Sequence, residues 1–334
     1  MDPMVEATLG WSPLEWEDLP ELAELRAAME YLDDPVDRQD LADLEEYFDK
    51  PDAEPSENAV AGRDRGGTIV AYAWNHPEGQ PVHDHIWIDG GVHPAWRNRQ
   101  IGRRLLEWGI ARAQEWHADL TALSSMPVPP LTVVGYADEK AHAARRMFVE
   151  VGMRPDAWYF DMHRSLVTHP APDALPLVDG LELRPFELGL SGATRIAHNA
   201  VFASRVGSRP VSPAAWESSL LRPTARPEWS WVVLDGGQVV AYAMNSIDLS
   251  EDGGTTGWTD RIGVLPSHRG RGLGTALLLA SSHAFARAGL TGAGLGVDTE
   301  DVDRALALFT RAGYTHEEMV IRHSRTFPVE AVDA

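Results

Sequence analysis

The chain carries two versions of one phrase. RNRQIGRRLL at 97–106 and RGRGLGTALL at 269–278 both read Arg-x-Arg-x-x-Gly-x-x-Leu-Leu. Each follows Val-x-Pro at the same distance, with Val92 and Pro94 before the first and Val264 and Pro266 before the second. The pair is not isolated. GGTIVAYAWN at 66–75 and GGQVVAYAMN at 236–245 agree at seven of ten positions, and MFVEVGM at 147–153 parallels LFTRAGY at 308–314. The matches keep the same order, at offsets of 170, 172 and 161 residues. Ordered matches with drifting offsets mean a duplicated domain that has gained and lost a few residues.

A length of 334 residues accommodates two such domains, each able to bury its own core. Between the copies lies VTHPAPDALPLVDG at 167–180, rich in proline and without apolar periodicity, which reads as a semi-rigid linker. The expected organisation is a first domain at 1–165, a linker at 166–177 and a second domain at 178–328. Each copy opens with helical sequence, PELAELRAAMEYL or SGATRIAHNAVF. A hairpin follows around a Gly-Gly turn, as in SWVVLDGGQVVAYAMN, then a strand into the arginine phrase and a helix such as LGTALLLASSHAFARAG. A strand, a further helix and a closing segment complete the copy. Helices interleaved with strands define an α/β class with a mixed sheet in each domain.

Composition narrows the possible partners. The formal charge of −21 opposes general binding to nucleic acid, which needs clustered cations, and leans toward small cationic substrates. The first residues are acidic and do not form a signal peptide, and no apolar run reaches the roughly 18 residues needed to span a bilayer. A cytoplasmic protein without a membrane partner is expected. With no cysteine, thiolate metal ligands and a cysteine nucleophile are excluded.

RGRGLGT stands where a strand gives way to a helix. The first turn of a helix has unpaired N–H groups and a partial positive charge. Gly270, Gly272 and Gly274 permit close backbone approach, and Arg269 and Arg271 supply cations suited to phosphate oxygens. Together these residues form a phosphate cradle. A P-loop is ruled out because Thr275 follows Gly274 with no lysine. A dinucleotide fingerprint started at Gly270 would need glycine at position 275.

The pattern Arg269-x-x-Gly272-x-Gly274 after a Val-x-Pro strand resembles the coenzyme A pyrophosphate loop of the GNAT superfamily of acyl-CoA N-acyltransferases. LALFTRAGY is similar to that superfamily's late helix and following turn. The tandem arrangement is similar in layout to the mycothiol synthases, although no residue here fixes that substrate. The resemblance implies two GNAT-like domains, each a mixed, splayed sheet flanked by helices. It implies acetyl-CoA as co-substrate, no metal, and a small-molecule amine as acceptor. It places the pyrophosphate on the backbone of Arg269, Gly270, Arg271, Gly272, Leu273, Gly274 and Thr275, and the pantetheine arm and thioester carbonyl beside Ile262, Gly263 and Val264.

Acylating an amine first requires a deprotonated amine. A lysine-like ammonium costs about 4.6 kcal/mol to deprotonate at pH 7, so a base is needed. Asp260, on the strand leading to Val264, is the first candidate, with Asp298 and Glu300 after the next strand as seconds. No G-x-S-x-G elbow is present, and without cysteine direct attack in a ternary complex is favoured over an acyl-enzyme. The superfamily's usual acid, the tyrosine of L-Y-x-x-x-G-F, is replaced by Phe309 here and by Phe148 in the first copy. Val302, between Asp301 and Asp303, stands where an asparagine is usual. The proton for the leaving thiolate must come from elsewhere.

In the first copy Gln100 occupies the place of Gly272, and Arg103 and Arg104 enter the first helical turn, where cations cost about 0.3–1 kcal/mol each without an anion. Two readings stay open. Val92, Arg97, Arg99, Gly102 and Arg103 form a second, arginine-based cofactor site, or the copy is a degenerate duplicate and turnover belongs to residues 178–328. His83, Asp84, His85 and His93 include a His-x-His pair on one strand face but no further ligand spacing, so no metal is expected. Trp258 is placed to border the acceptor pocket. A non-catalytic acyl-CoA-binding module, transfer of a longer acyl or aminoacyl group, and a monomer or homodimer all remain compatible.

Overall fold

The structure is a computed structural model. It describes residues 9–36, 38–50, 54–78, 85–124, 128–171, 174–175, 180–203, 209–248 and 255–328. The first copy supplies β1 (Gly10–Pro13), α1 (Leu19–Asp33), α2 (Leu41–Phe48), α3 (Pro55–Asn58), β2 (Ala59–Arg63), β3 (Ile69–Glu78) and β4 (His85–Val92). It continues with α4 (Ile101–Leu123), β5 (Leu131–Asp138), α5 (His142–Glu150) and β6 (Arg154–Ser165). The second supplies β7 (Glu182–Pro185), α6 (Ser191–Phe202), α7 (Pro213–Leu220), β8 (Trp231–Asp235), β9 (Gln238–Asp248) and β10 (Thr256–Val264). It ends with α8 (Leu273–Arg287), β11 (Gly292–Thr299), α9 (Val302–Arg311) and β12 (Thr315–Phe327). Apart from the short α3 the two series match one for one. The duplication read from three motif pairs therefore extends to every other element.

By contacts the chain divides into two compact units, residues 1–158 with 318–334, and residues 159–317. The division falls inside β6 and β12. In the first unit the strands run β1-β2-β3-β4-β5-β12, and in the second β11-β10-β9-β8-β7. The last strand of the second copy thus completes the first unit, pairing antiparallel with β5 from Val320↔Asp138 to Phe327↔Leu131. Inside the first unit Arg322 and Ser324 of β12 bond the carboxylate of Asp156, at 2.9 Å and 2.7 Å.

The second unit shows why these sequences take these shapes. Gly236 and Gly237 both have positive φ, as a tight hairpin turn between right-twisted strands requires. β9 is buried on both faces. Its Tyr242 and Met244 face Trp216 of α7 and Ala197 and Val201 of α6. Its Ala241 and Ala243 face Leu273, Leu277 and Ala280 of α8, small residues on the strand letting the helix settle close. In the first unit Tyr72 and Trp74 of β3 pack in the same way under Leu22 and Leu25 of α1.

Candidate active site

In the second unit β10 runs parallel to β11 for only three pairs, from Thr256↔Gly292 to Trp258↔Gly294. Beyond Trp258, β10 keeps its antiparallel partner β9 as far as Val264↔Ala241 while β11 diverges. One edge of β10 is left without a strand partner, so its N–H and C=O groups face a gap rather than a ladder. Ile262 and Val264 turn their side chains into the cluster under α8, and only their backbone serves that edge. A Cβ on Gly263 would come within 2.7 Å of the Tyr242 ring, so this glycine is required by packing onto Tyr242.

The register of β10 on β9 steps from Thr259↔Asn245 to Arg261↔Met244, leaving Asp260 as the extra residue of a β-bulge. The bulge turns Asp260 and Arg261 to the same side, toward a pocket lined also by Trp216, Ser219, Arg222 and Asn245. Ser246 Oγ donates to Asp260 Oδ1 at 3.1 Å, and Arg222 lies 3.7 Å from the other oxygen. Desolvation pushes the Asp260 carboxyl above the usual carboxylate value, against the pull of the Ser246 hydrogen bond and of Arg222 and Arg261. Beneath, His198 Nδ1 and Tyr242 Oη share a 2.6 Å hydrogen bond. Burial, followed by the Arg261 charge, lowers the His198 pKa to about 4, so that ring is neutral at pH 7.

At the mouth of the gap Gly270 and Gly272 take φ of 78° and 76°, and Gly272 caps α8 in the left-handed region. Nothing stands within 4 Å of where a Cβ would be on either glycine, so the turn is open to an approaching group. The first α8 backbone bond is Ala276 N–H to Gly272 C=O, which leaves the N–H groups of Leu273, Gly274 and Thr275 as first-turn donors. No acidic residue sits in that turn. Arg269 Nε bonds the Val264 carbonyl at 3.2 Å, and among the described residues its guanidinium has no carboxylate partner.

The first copy keeps the outline and differs in the bulge and in the residues of the turn. β4 and β5 also separate after three parallel pairs, ending at Trp87↔Val134. But β4 pairs with β3 without a break, from Ala71↔Val92 to Glu78↔His85, so no bulge exists. The missing bulge residue, with one residue fewer in the preceding hairpin, accounts for the offset moving from 170 to 172. Asp89 follows Trp87 as Asp260 follows Trp258, but it stands opposite Trp74, the register place that Arg261 holds opposite Met244, and it is tied up by its neighbours. It accepts from Arg26 at 2.6 Å and from Tyr72 Oη at 3.0 Å, and Arg26 also donates to Tyr72. Burial opposes ionisation of Asp89, yet Arg26 overcomes it and holds the carboxyl below its ordinary value. Replacing Arg26 with methionine strands that carboxylate and is expected to cost about 3–5 kcal/mol in chemical denaturation. Adding Asp89→Asn is expected to recover much of the loss.

The turn itself survives in shape. Asn98 and Gln100 take φ of 62° and 64° where the second copy has glycines. A left-handed glutamine costs about 1 kcal/mol. Gln100→Gly is thus expected to stabilise the protein by about that amount, read as a rise of a few degrees in Tm. The arginines proposed for a second site are engaged internally. Arg97 is bound bidentately by Asp33 at 2.7 and 2.6 Å, Arg103 by Glu107 at 3.0 Å, and Arg99 covers the Trp96 ring at 4.6 Å. Val92 is buried and Gly102 faces the Met147 side chain.

The remaining candidates lie elsewhere. Asp298 and Glu300 are exposed at the end of β11. Phe309 is buried in α9, and Phe148 stacks near His323 at 5.1 Å. Trp258 lies over Gly294 of β11, its ring 5.9 Å from His163. His93 caps the short turn at Ala95, and His83 and Asp84 lie outside the described residues. Among the described residues no group of three metal-binding side chains gathers, and no helix is long and apolar enough to cross a membrane. Sequence reading missed Ser246, Arg222, Arg261 and the His198–Tyr242 pair. The one signal that could have found Arg261 was the two-residue growth of the repeat offset just before it.

A splayed mixed sheet whose central strand runs into a left-handed turn at a helix start occurs here twice, with the bulge and the open glycines in the second copy, and this is the arrangement of an acyl-CoA transferase fold. The acetyltransferase (GNAT) family model matches residues 16–127 and again 205–314, and the chain belongs to that family of acyl-CoA N-acyltransferases. It is 25% identical to a mycothiol acetyltransferase of Amycolatopsis mediterranei, covering 87% of this chain and 97% of the relative. A mycothiol acetyltransferase of Thermobispora bispora is 26% identical over 78% of this chain and 81% of its own. Among solved structures, a GCN5-related N-acetyltransferase from Sphaerobacter thermophilus shares the fold at a TM-score of 0.65 and 24% identity, covering 97% and 98% of the two chains. A tandem GNAT protein from the clavulanic acid biosynthesis pathway does so at 0.51 and 17%, covering 95% and 98%.

Proposed function

We propose that this chain is a cytoplasmic N-acetyltransferase that moves an acetyl group from acetyl-CoA to the primary amine of a small molecule, and that its second unit alone turns over. The observation that carries the reading is the contrast between the copies at one strand. On bulged β10 Asp260 is left exposed in a pocket of the unit that also carries the open glycine turn, whereas on unbroken β4 Asp89 is bound by Arg26. In this reading the N–H groups of Leu273, Gly274 and Thr275 and the terminal nitrogens of Arg269, whose Nε is held by the Val264 carbonyl, hold the pyrophosphate of acetyl-CoA. The unpaired edge of β10 runs along the pantetheine and donates to the carbonyl oxygen as negative charge develops there.

Asp260, directly or through one water, takes the proton of the ammonium. The amine nitrogen then bonds the thioester carbon, the carbon–sulfur bond breaks, and the second nitrogen proton passes to solvent as the amide forms. Phe309 is buried and apolar, so the thiolate leaves unprotonated or takes its proton from solvent. The mycothiol acetyltransferase names of the relatives support acetyl as the group moved. Release of free thiol from acetyl-CoA with a panel of primary amines tests the proposal. Amine-dependent release supports it, and acetyl-CoA binding with no release from any amine overturns it. Equal turnover with longer acyl-CoAs would overturn the acetyl preference alone.

A further inference from the structure

We infer that the acceptor taken by the second unit is an amino acid, carrying a carboxylate beside the amine, and that Arg261 and Arg222 receive that carboxylate. The inference rests on the acetyl-transfer reading above. Three observations point to it. The bulge places Asp260 and Arg261, neighbours in sequence, on one face of one pocket. That pocket holds two guanidinium groups and one carboxylate, a local excess of positive charge in a chain of net charge −21. And Arg261 is half-buried over the Trp216 ring, 5.0 Å from its centroid, with a single hydrogen bond, to Ser219 Oγ at 3.3 Å. Among the described residues no carboxylate comes within ion-pair distance of it.

A half-buried guanidinium without a counter-ion is costly, and its planar fork of donors matches a carboxylate in two-point contact. The neighbouring Asp260 suits the ammonium end of the same molecule. Because the two residues adjoin, amine and anion must be only a few bonds apart, as in an α- or β-amino acid. A zwitterion also fits the acidic chain: it carries no net charge for the surrounding field to repel, unlike a phosphorylated amine.

The test uses the full chain with acetyl-CoA and compares α-amino acids and β-alanine with their carboxamides by thiol release. The free acids are expected to exceed their carboxamides by about 10–100-fold in kcat/KM. In Arg261→Gln that preference is expected to shrink to about threefold or less, through KM rather than kcat, with Arg261→Lys restoring part of it. Arg222→Gln, at a more exposed site, is the second variant should the first fold poorly. Carboxamides equal to the acids, or no amino acid acetylated while simple amines are, would overturn the inference and leave acetyl transfer standing. Calorimetry showing no binding of acetyl-CoA would remove both.

Discussion

Gly272→Gln is expected to weaken acetyl-CoA binding by on the order of 100-fold, measured by calorimetry. Two effects combine. Glutamine in the left-handed region costs about 1 kcal/mol, which the folded chain tolerates, as Gln100 demonstrates at φ 64°. Loss of approach matters more. The turn is open because no atom stands where a Cβ would be, and a side chain there holds the phosphates away from the first-turn N–H groups of α8. Losing about two charge-assisted hydrogen bonds at about 1.5 kcal/mol each gives the stated factor. Arg97→Ala is expected to leave affinity unchanged, since Asp33 already occupies that guanidinium. Activity surviving Gly272→Gln but lost on damage to Arg97 or Arg99 would reverse the assignment of the active half.

Asp260→Asn is expected to lower kcat/KM by about 10²–10⁴-fold at pH 7 while acetyl-CoA still binds. The sign of the pH effect follows from the role. Only the ionised carboxylate accepts the proton, so activity rises with pH through its pKa. Desolvation has moved that pKa above the ordinary 3.8, so the acidic limb of the wild-type profile lies higher than for an exposed aspartate. In the asparagine variant this limb disappears, and the remaining rate follows ionisation of the amine alone. A variant whose acidic limb and kcat stay in place would exclude Asp260 as the base.

The fold was largely legible because its signals are local. The Gly-Gly hairpin, the strand-to-helix entry at RGRGLGT and the apolar spacing of LGTALLLASSHAFARAG each depend on a few adjacent residues. The candidate site was half legible. Gly272 was found by its backbone requirement and Asp260 by its place before Val264, but the partners of Asp260 come from β9 and from the chain just beyond α7. Nothing near Ser246 or Arg222 in sequence marks them. The contrast between Asp89 and Asp260 was equally hidden, because the two aspartates sit in similar strands and differ in strand register and in the partners that distant elements bring to them.

What the sequence determined alone is the duplication, the α/β class, and a glycine turn at a helix start in the second copy with Gln100 in place of Gly272 in the first, since each follows from residue type at short spacing. Tertiary structure decided three further matters: which aspartate is left exposed and which is bound by an arginine, where among the described residues an arginine sits without a carboxylate partner, and that β12 pairs with β5 of the first unit. The reason is physical. One extra residue between two paired strands sets two neighbouring side chains on one face, and a strand's partner is chosen by an edge more than 170 residues away in the chain.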